Sequence, residues 1–263
     1  MYSINGFFKR PQNLAYDAIT ARAEYDRILT LASILKRYNS DFADFAFNNE
    51  DAQHRYAEIG DEILKTDEPP SDLLAELEIL GSQKTIPVEG NEDQHFKTIW
   101  ETSQSINSKY GSHLLFIELK GHQTYAAKIQ ATIDFQSARF GGVEINLPMK
   151  GDTDFWYQHW TTMRDIMFAA MEIWEFDWIV AQPTMYVGLQ KNLFVDRRSF
   201  GWMGWTPQDL PRGVNSALAR MEPHKSGTFM LLQERMMNMK APDIEACNKA
   251  EAYLLDHGAL ALL

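Results

Sequence analysis

A single cysteine, Cys247, stands among 263 residues, so no intramolecular disulfide can form and the chain must hold itself together by packing, as proteins of reducing compartments do. No stretch approaches the roughly 18 to 20 consecutive apolar residues of a membrane helix. Met1 to Lys9 also lacks the basic start and long apolar core of a secretory signal. The expectation is a soluble cytoplasmic protein with no membrane contact. There is no Gly-rich turn followed by Lys and Ser or Thr to cradle a phosphate, no G-x-G-x-x-G, and no G-x-S-x-G elbow. The seven histidines, at 54, 95, 113, 122, 159, 224 and 257, include no pair at the three- or four-residue spacing of a helical metal site, and His113 and His122 are the nearest to one. These gaps lead us to expect no cofactor, no metal and no catalysis.

What enzymatic potential remains is concentrated in Glu172, Glu175 and Asp177, a carboxylate group among tryptophans, where burial can raise a pKa toward acid catalysis. The competing reading is solvated acids at a helix end. Cys247 falls in a helical pattern and reads as a small core residue.

Charge is present but lopsided. The formal net charge is −11, and residues 41 to 94 hold fifteen Asp and Glu against three Lys and Arg. Phosphate binding needs clustered Lys and Arg, so nucleic acid is an unsuitable direct ligand and a basic partner the natural complement. Ordinary solvated surface is the bland alternative.

Periodicity organises the rest. Leu14, Ala18, Ala21, Tyr25, Ile28, Ala32 and Leu35 recur every three or four residues, predicting a helix to about Tyr38. Further helices are expected over Ala52 to Leu64 and from Ser71 to Gly81, joined by the acidic Thr66 to Ser71 loop. From about Phe96 the period changes to two. Strands are predicted at Phe96 to Glu101, Leu115 to Leu119, Ala127 to Phe135 and Val143 to Leu147, with Gly141 and Gly142 as a hairpin turn, giving an antiparallel meander. A helix opened by Asp152 then carries Trp156, Trp160, Met163, Met167, Ala170, Met171 and Trp174 as a core stripe. Strands at Trp178 to Ala181, Ala217 to Met221 and Thr228 to Gln233 follow, and a last helix has Pro242 in its first turn and Gly258 past its end. The class is α+β in a single domain: a helical, acidic region over residues 1–94, then a mainly antiparallel sheet over 95–263 packed on a long amphipathic helix and a C-terminal helix.

The segments Val143 to Pro148, Trp174-Glu175-Phe176-Asp177-Trp178, Gly201-Trp202-Met203-Gly204-Trp205, Leu210-Pro211, Leu218 to Glu222, Gly227-Thr228 and the final helix from Pro242 come in an order that resembles the immunity protein 52 family of bacterial polymorphic toxin systems. The likeness spans most of residues 95 to 257, with a weaker match to an opening strand and the first helix. It implies an antidote to a restriction-endonuclease-like nuclease toxin, one delivered by a type VI secretion apparatus, with Trp174, Asp177, Trp178 and Gly204 in structural roles.

Residues 41 to 94 depart from that pattern. Their acids Asp61, Glu62, Asp67, Glu68, Glu92 and Asp93 are the candidate toxin-contacting set, because a nuclease exposes a positive groove that a negative surface can cover. Trp202 and Trp205 are candidates either for an aromatic contact or for the chain's own core. A non-catalytic scaffold in a larger complex is the other binding role open to such a chain.

Overall fold

Alternation along the chain becomes one antiparallel sheet, in which ten strands are joined among the described residues. The computed structural model describes residues 2–8, 14–66, 68–121, 127–136, 141–147, 159–211 and 217–263. In chain order the elements are β1 (Tyr2–Phe8), α1 (Ala18–Leu35), a 3-10 turn (Ser40–Phe42), β2 (Phe45–Asn48), α2 (Glu50–Ile63), α3 (Ser71–Ser82), β3 (Thr85–Pro87), α4 (Glu92–Tyr110), β4 (Leu114–Gly121), β5 (Lys128–Asp134), β6 (Gly141–Asn146), α5 (Trp160–Met171), β7 (Phe176–Pro183), α6 (Thr184–Gly188), β8 (Met203–Thr206), β9 (Arg220–His224), β10 (Gly227–Leu231) and α7 (Ala241–Asp256). The strand order is β3-β2-β4-β5-β6-β1-β7-β8-β10-β9.

The expected α+β class holds, and β4, β5 and β6 form the meander that their alternation predicts. The first strand is then threaded between β6 and β7, so the earliest residues occupy the middle of the sheet. Leu115, Ile117, Leu119, Ile129, Ala131, Ile133, Val143 and Ile145 are buried on one face, and α1 and α5 pack over that side. Helix α1 begins where Asp17 accepts a hydrogen bond from the Thr20 N–H (2.8 Å) and buries Ala21, Tyr25, Ile28, Leu31, Ala32 and Leu35, one stripe at helical spacing.

Three local expectations are corrected. Residues Phe96 to Glu101 lie inside α4 instead of forming a strand: Phe96, Ile99 and Trp100 have i, i+3, i+4 spacing, Glu92 and Asp93 sit in the first turn, and Gly111 closes the helix at φ 64°. Gly141 and Gly142 belong to β6 and pair with Ile133 and Thr132. The ring of Phe8 fills the space a Cβ at Gly141 would need, so glycine there serves close packing, not a turn. Ala217 to Met221 is displaced, the strand running over Arg220–His224.

Helix α5 buries Met163, Met167, Ala170 and Met171 as expected, with Ile166 added to the stripe, and Trp174 is buried just beyond it. Asp152 and Trp156 lie outside the described residues. Trp160 opens the helix and is only partly buried, with the guanidinium groups of Arg164 and Arg220 5.3 and 5.2 Å from its ring. Trp160→Ala should therefore cost only about 1 to 2 kcal/mol, whereas Met167→Ala, which empties a fully buried site, should cost about 2 to 5 kcal/mol. Chemical denaturation of the two variants checks the ranking, and equal losses would mean that Trp160 carries more packing than its exposure allows.

Candidate functional site

The acidic segment folds into a helical hairpin inserted between β2 and β3. Asn49 caps α2, its side chain accepting from the Ala52 N–H (3.3 Å), and its Nδ2 donates to the Gln83 carbonyl (3.0 Å) at the far end of the hairpin. Gln53 Nε2 donates to the Lys84 carbonyl (3.1 Å), which pins the base a second time. Arg55 bridges the two helices, its Nε and Nη2 donating to Oε1 and Oε2 of Glu76 at 3.0 and 3.4 Å, and Lys84 Nζ lies 3.2 Å from the Tyr56 ring centroid. Paired this way, α2 and α3 pack chiefly on each other.

From Glu50 to Lys84 there are ten Asp and Glu against three Lys and Arg. Arg55 pairs with Glu58 and Glu76, while Asp61, Glu62, Glu68, Asp72 and Glu78 are exposed and carry no ion pair among the described residues. Of the sequence candidates, Asp61, Glu62 and Glu68 thus share the hairpin, and Asp67 lies outside the described residues. Glu92 and Asp93 belong elsewhere, at the start of α4. Glu92 accepts from the Gly90 N–H (3.0 Å), a backbone bond that holds its carboxyl below the usual range. Asp93 pairs with Arg22 of α1, which makes this end of α4 a contact between helices.

The tryptophans sit inside. Trp202 and Trp205 are buried, their indole N–H groups donating to the Gln233 carbonyl (2.7 Å) and the His224 carbonyl (2.9 Å), so neither ring is available as a surface contact. Trp178 is fully buried and donates to the Ser199 carbonyl (3.3 Å), and Trp174 stacks on Phe8 with centroids 5.9 Å apart. A Cβ at Gly204 would stand 3.2 Å from the Ile179 carbonyl and the Phe200 ring, closer than an ordinary van der Waals contact.

The carboxylates considered for catalysis do not converge. Glu172 is exposed and pairs with Lys225 (3.0 Å), Glu175 is exposed, and Asp177 is partly buried on β7. His113 packs edge-on against Tyr16, and His122 lies outside the described residues. Among the described residues no three His, Cys, Asp or Glu side chains are grouped to hold a metal ion. Cys247 is buried with Sγ 3.2 Å from the Gly201 carbonyl, and burial pushes its thiol pKa up, which makes it an inert packing group.

Sequence reasoning missed the buried polar groups that position these parts. Glu251, 1% exposed on α7, accepts from the Phe200 N–H (2.9 Å), the Leu193 N–H (2.6 Å) and Tyr186 Oη (3.3 Å), tying residues 186–200 to the last helix. Burial raises its carboxyl pKa. The signal was available, since Cys247, Ala250, Glu251 and Leu254 form one stripe at i, i+3, i+4, i+7 with an acid among apolar residues. Asn107 of α4 is similar: its Nδ2 donates to the Leu114 carbonyl (2.7 Å) and its Oδ1 accepts from the Leu114 N–H (3.1 Å), fixing the start of β4.

On the sheet face turned away from α1, register lines up Phe116, Thr132, Gly142, Phe7 and Trp178 across five strands. A groove of about 640 Å³ lies over Phe116, Thr132, Gly142 and Phe7 of this row, lined also by Leu114, Gln130 and Glu144. Arg198 lies above it, its guanidinium carbon 3.5 Å from the Phe7 ring centroid, and desolvation lowers the Arg198 pKa while the charge of Asp177 acts the other way.

No helix among the described residues is long and apolar enough to cross a membrane. No protein-family model matches the chain, and no curated protein matches it in sequence. Among solved structures it is similar to the Pseudomonas aeruginosa T6SS protein PA0821, at 8% identity and a TM-score of 0.47, with 98% of this chain and 75% of that chain covered.

Proposed function

We propose that this chain is an immunity protein that binds and neutralises a basic toxin, a nuclease of the restriction-endonuclease-like type delivered by a type VI secretion apparatus, and that it does so in the cytoplasm. The observation that carries the reading is the α2–α3 hairpin, whose exposed acids Asp61, Glu62, Glu68, Asp72 and Glu78 have no cation of their own among the described residues. Such a surface is costly to bring near DNA and favourable to bring near the positive groove of a DNA-cutting enzyme. The motif order in residues 95 to 257 that resembles the immunity protein 52 family supports the same role.

The physical contribution of these charges is to the rate of encounter. Exposed acids add little to folding, and steering is screened over about 8 Å at physiological salt. Changing Asp61, Glu62 and Glu68 together to Lys should leave the melting curve in place and slow association with the toxin it neutralises by about tenfold or more at low salt. It should also flatten the wild-type fall of that rate with rising salt. Stopped-flow mixing with the purified toxin domain measures both quantities, and protection of cells expressing the toxin should weaken in parallel. A rate and salt slope equal to wild type would remove the hairpin from the contact, and a wild-type protein that neither binds nor protects would refute the antidote role.

A further inference from the structure

Helix α3 reads Ser-Asp-Leu-Leu-Ala-Glu-Leu-Glu-Ile-Leu-Gly-Ser, and half of these residues are Leu, Ile or Ala. A helix apolar around most of its circumference is ordinarily buried on most of its sides. None of the residues of α3 is buried. Its inner face, Leu73, Glu76, Leu77 and Leu80 at i, i+3, i+4, i+7, is partly covered by α2. The outer face is exposed: Leu74 is 46% and Ile79 56% accessible, with Ser71, Ala75, Glu78 and Ser82 exposed beside them. At about 100° per residue, Leu74 and Ile79 stand about 140° apart, one on each flank of a central strip made by Ser71, Ala75, Glu78 and Ser82. The strip is polar, with the Glu78 carboxylate beside the two serines and an aliphatic chain on each border.

We infer that the outer face of α3 is the affinity-bearing contact of the complex proposed above, a helix face that seats against an apolar recess with a basic rim on the toxin; the inference rests on that reading of the protein. Charge decides among occupants. A second copy of this chain would bring one hairpin with ten acids and three bases against another, and like charges facing each other cost several kcal/mol. An anionic membrane surface is repelled for the same reason, and α3 has no Lys or Arg to hold it there. A protein surface carrying Lys and Arg around an apolar depression satisfies both parts of the face, in the manner of a helix laid in a groove.

The division of labour makes a kinetic test possible. Acids around the face govern arrival, and the aliphatic pair governs departure, because dissociation exposes it to water again. The probe is the proposed partner, a restriction-endonuclease-like toxin domain that this chain neutralises, purified as an inactivated variant and mixed with the full chain. Leu74→Gln with Ile79→Gln keeps charge and helix propensity. The double variant should melt with the wild type, associate at the wild-type rate with the wild-type salt slope, and dissociate at least a hundredfold faster. Ile19→Gln, which removes a still more exposed aliphatic chain from α1 (83% accessible), should change nothing. Wild-type binding with unchanged dissociation of the Leu74/Ile79 variant overturns this inference and leaves the antidote role standing. Failure of the wild type to bind the toxin overturns both. Sedimentation that finds a dimer of the chain, dissolved by the same double change, would assign the face to a second copy and overturn the inference as stated.

Discussion

Glu251→Ala should lower stability by about 2 kcal/mol at acid pH, since it strands the buried Phe200 N–H and frees the Leu193 N–H, while the Tyr186 hydroxyl keeps its bond to Asn248 Oδ1 (2.9 Å); a buried orphan costs about 1 to 3 kcal/mol. The loss should depend on pH. Burial raises the Glu251 carboxyl pKa, so the native state takes up a proton there more readily than the unfolded chain does. The stability this provides is fully present below the ordinary carboxylate value and is lost as the pH rises through the folded-state value. The wild type therefore has most to lose at low pH, and the gap between wild type and Glu251→Ala should narrow as the pH rises. Urea denaturation of both proteins between pH 4 and 8 measures it. A gap that widens with pH would mean that the ionised carboxylate is the stabilising form.

His95 should give the opposite slope. It is 4% exposed on α4, its Nδ1 is 3.0 Å from Tyr25 Oη of α1, and its ring stacks on Phe47 of β2 at 4.7 Å. Burial lowers its pKa from 6.5 to about 4. A depressed pKa favours the native state above the unfolded value, and that stability is lost progressively as the pH falls from 6.5 toward 4. The full effect of such a shift is about 3 kcal/mol. His95→Phe keeps a ring on Phe47 but cannot take a proton, so its stability should lack this acid step while falling slightly at neutral pH from the unpaired Tyr25 hydroxyl. Parallel acid limbs in wild type and variant would show that another group drives the transition. Because Glu251 and His95 act in opposite directions over neighbouring pH ranges, the differences between each variant and the wild type are the informative curves.

Some elements were legible because their pattern is local. In β4, β5 and β6 apolar and polar residues alternate, and a strand with one wet face has no other way to bury Leu115, Ile117, Ile129, Ile133 and Ile145. The stripe of α1 is local in the same sense, as are Pro242 in the first turn of α7 and Gly258 after its end. Phe96 to Glu101 was misread because a short apolar run fits both periods, and only the length of α4, which carries Ser103 and Asn107 on the same buried stripe, resolves it. Gly141 and Gly142 look like a turn by residue type, yet the Phe8 ring that excludes a side chain at Gly141 comes from the other end of the sequence.

The candidate site divides along the same line. The acid excess of residues 41 to 94, the α+β class and the absence of phosphate-loop and hydrolase motifs are properties of composition and spacing, and they follow from the order of the amino acids alone. Tertiary structure decided the rest: that β1 is threaded between β6 and β7, that Trp202 and Trp205 face inward, that Asp93 is occupied by Arg22, and that Asp61, Glu62 and Glu68 stand on a hairpin pinned at its base by Asn49 and Gln53. It also decided that α3, apolar enough for a core, is left with Leu74 and Ile79 in water. The physical reason is that charge and periodicity belong to neighbours along the chain, whereas exposure is set by which distant elements arrive to cover a face, and for the outer face of α3 none of the described elements does.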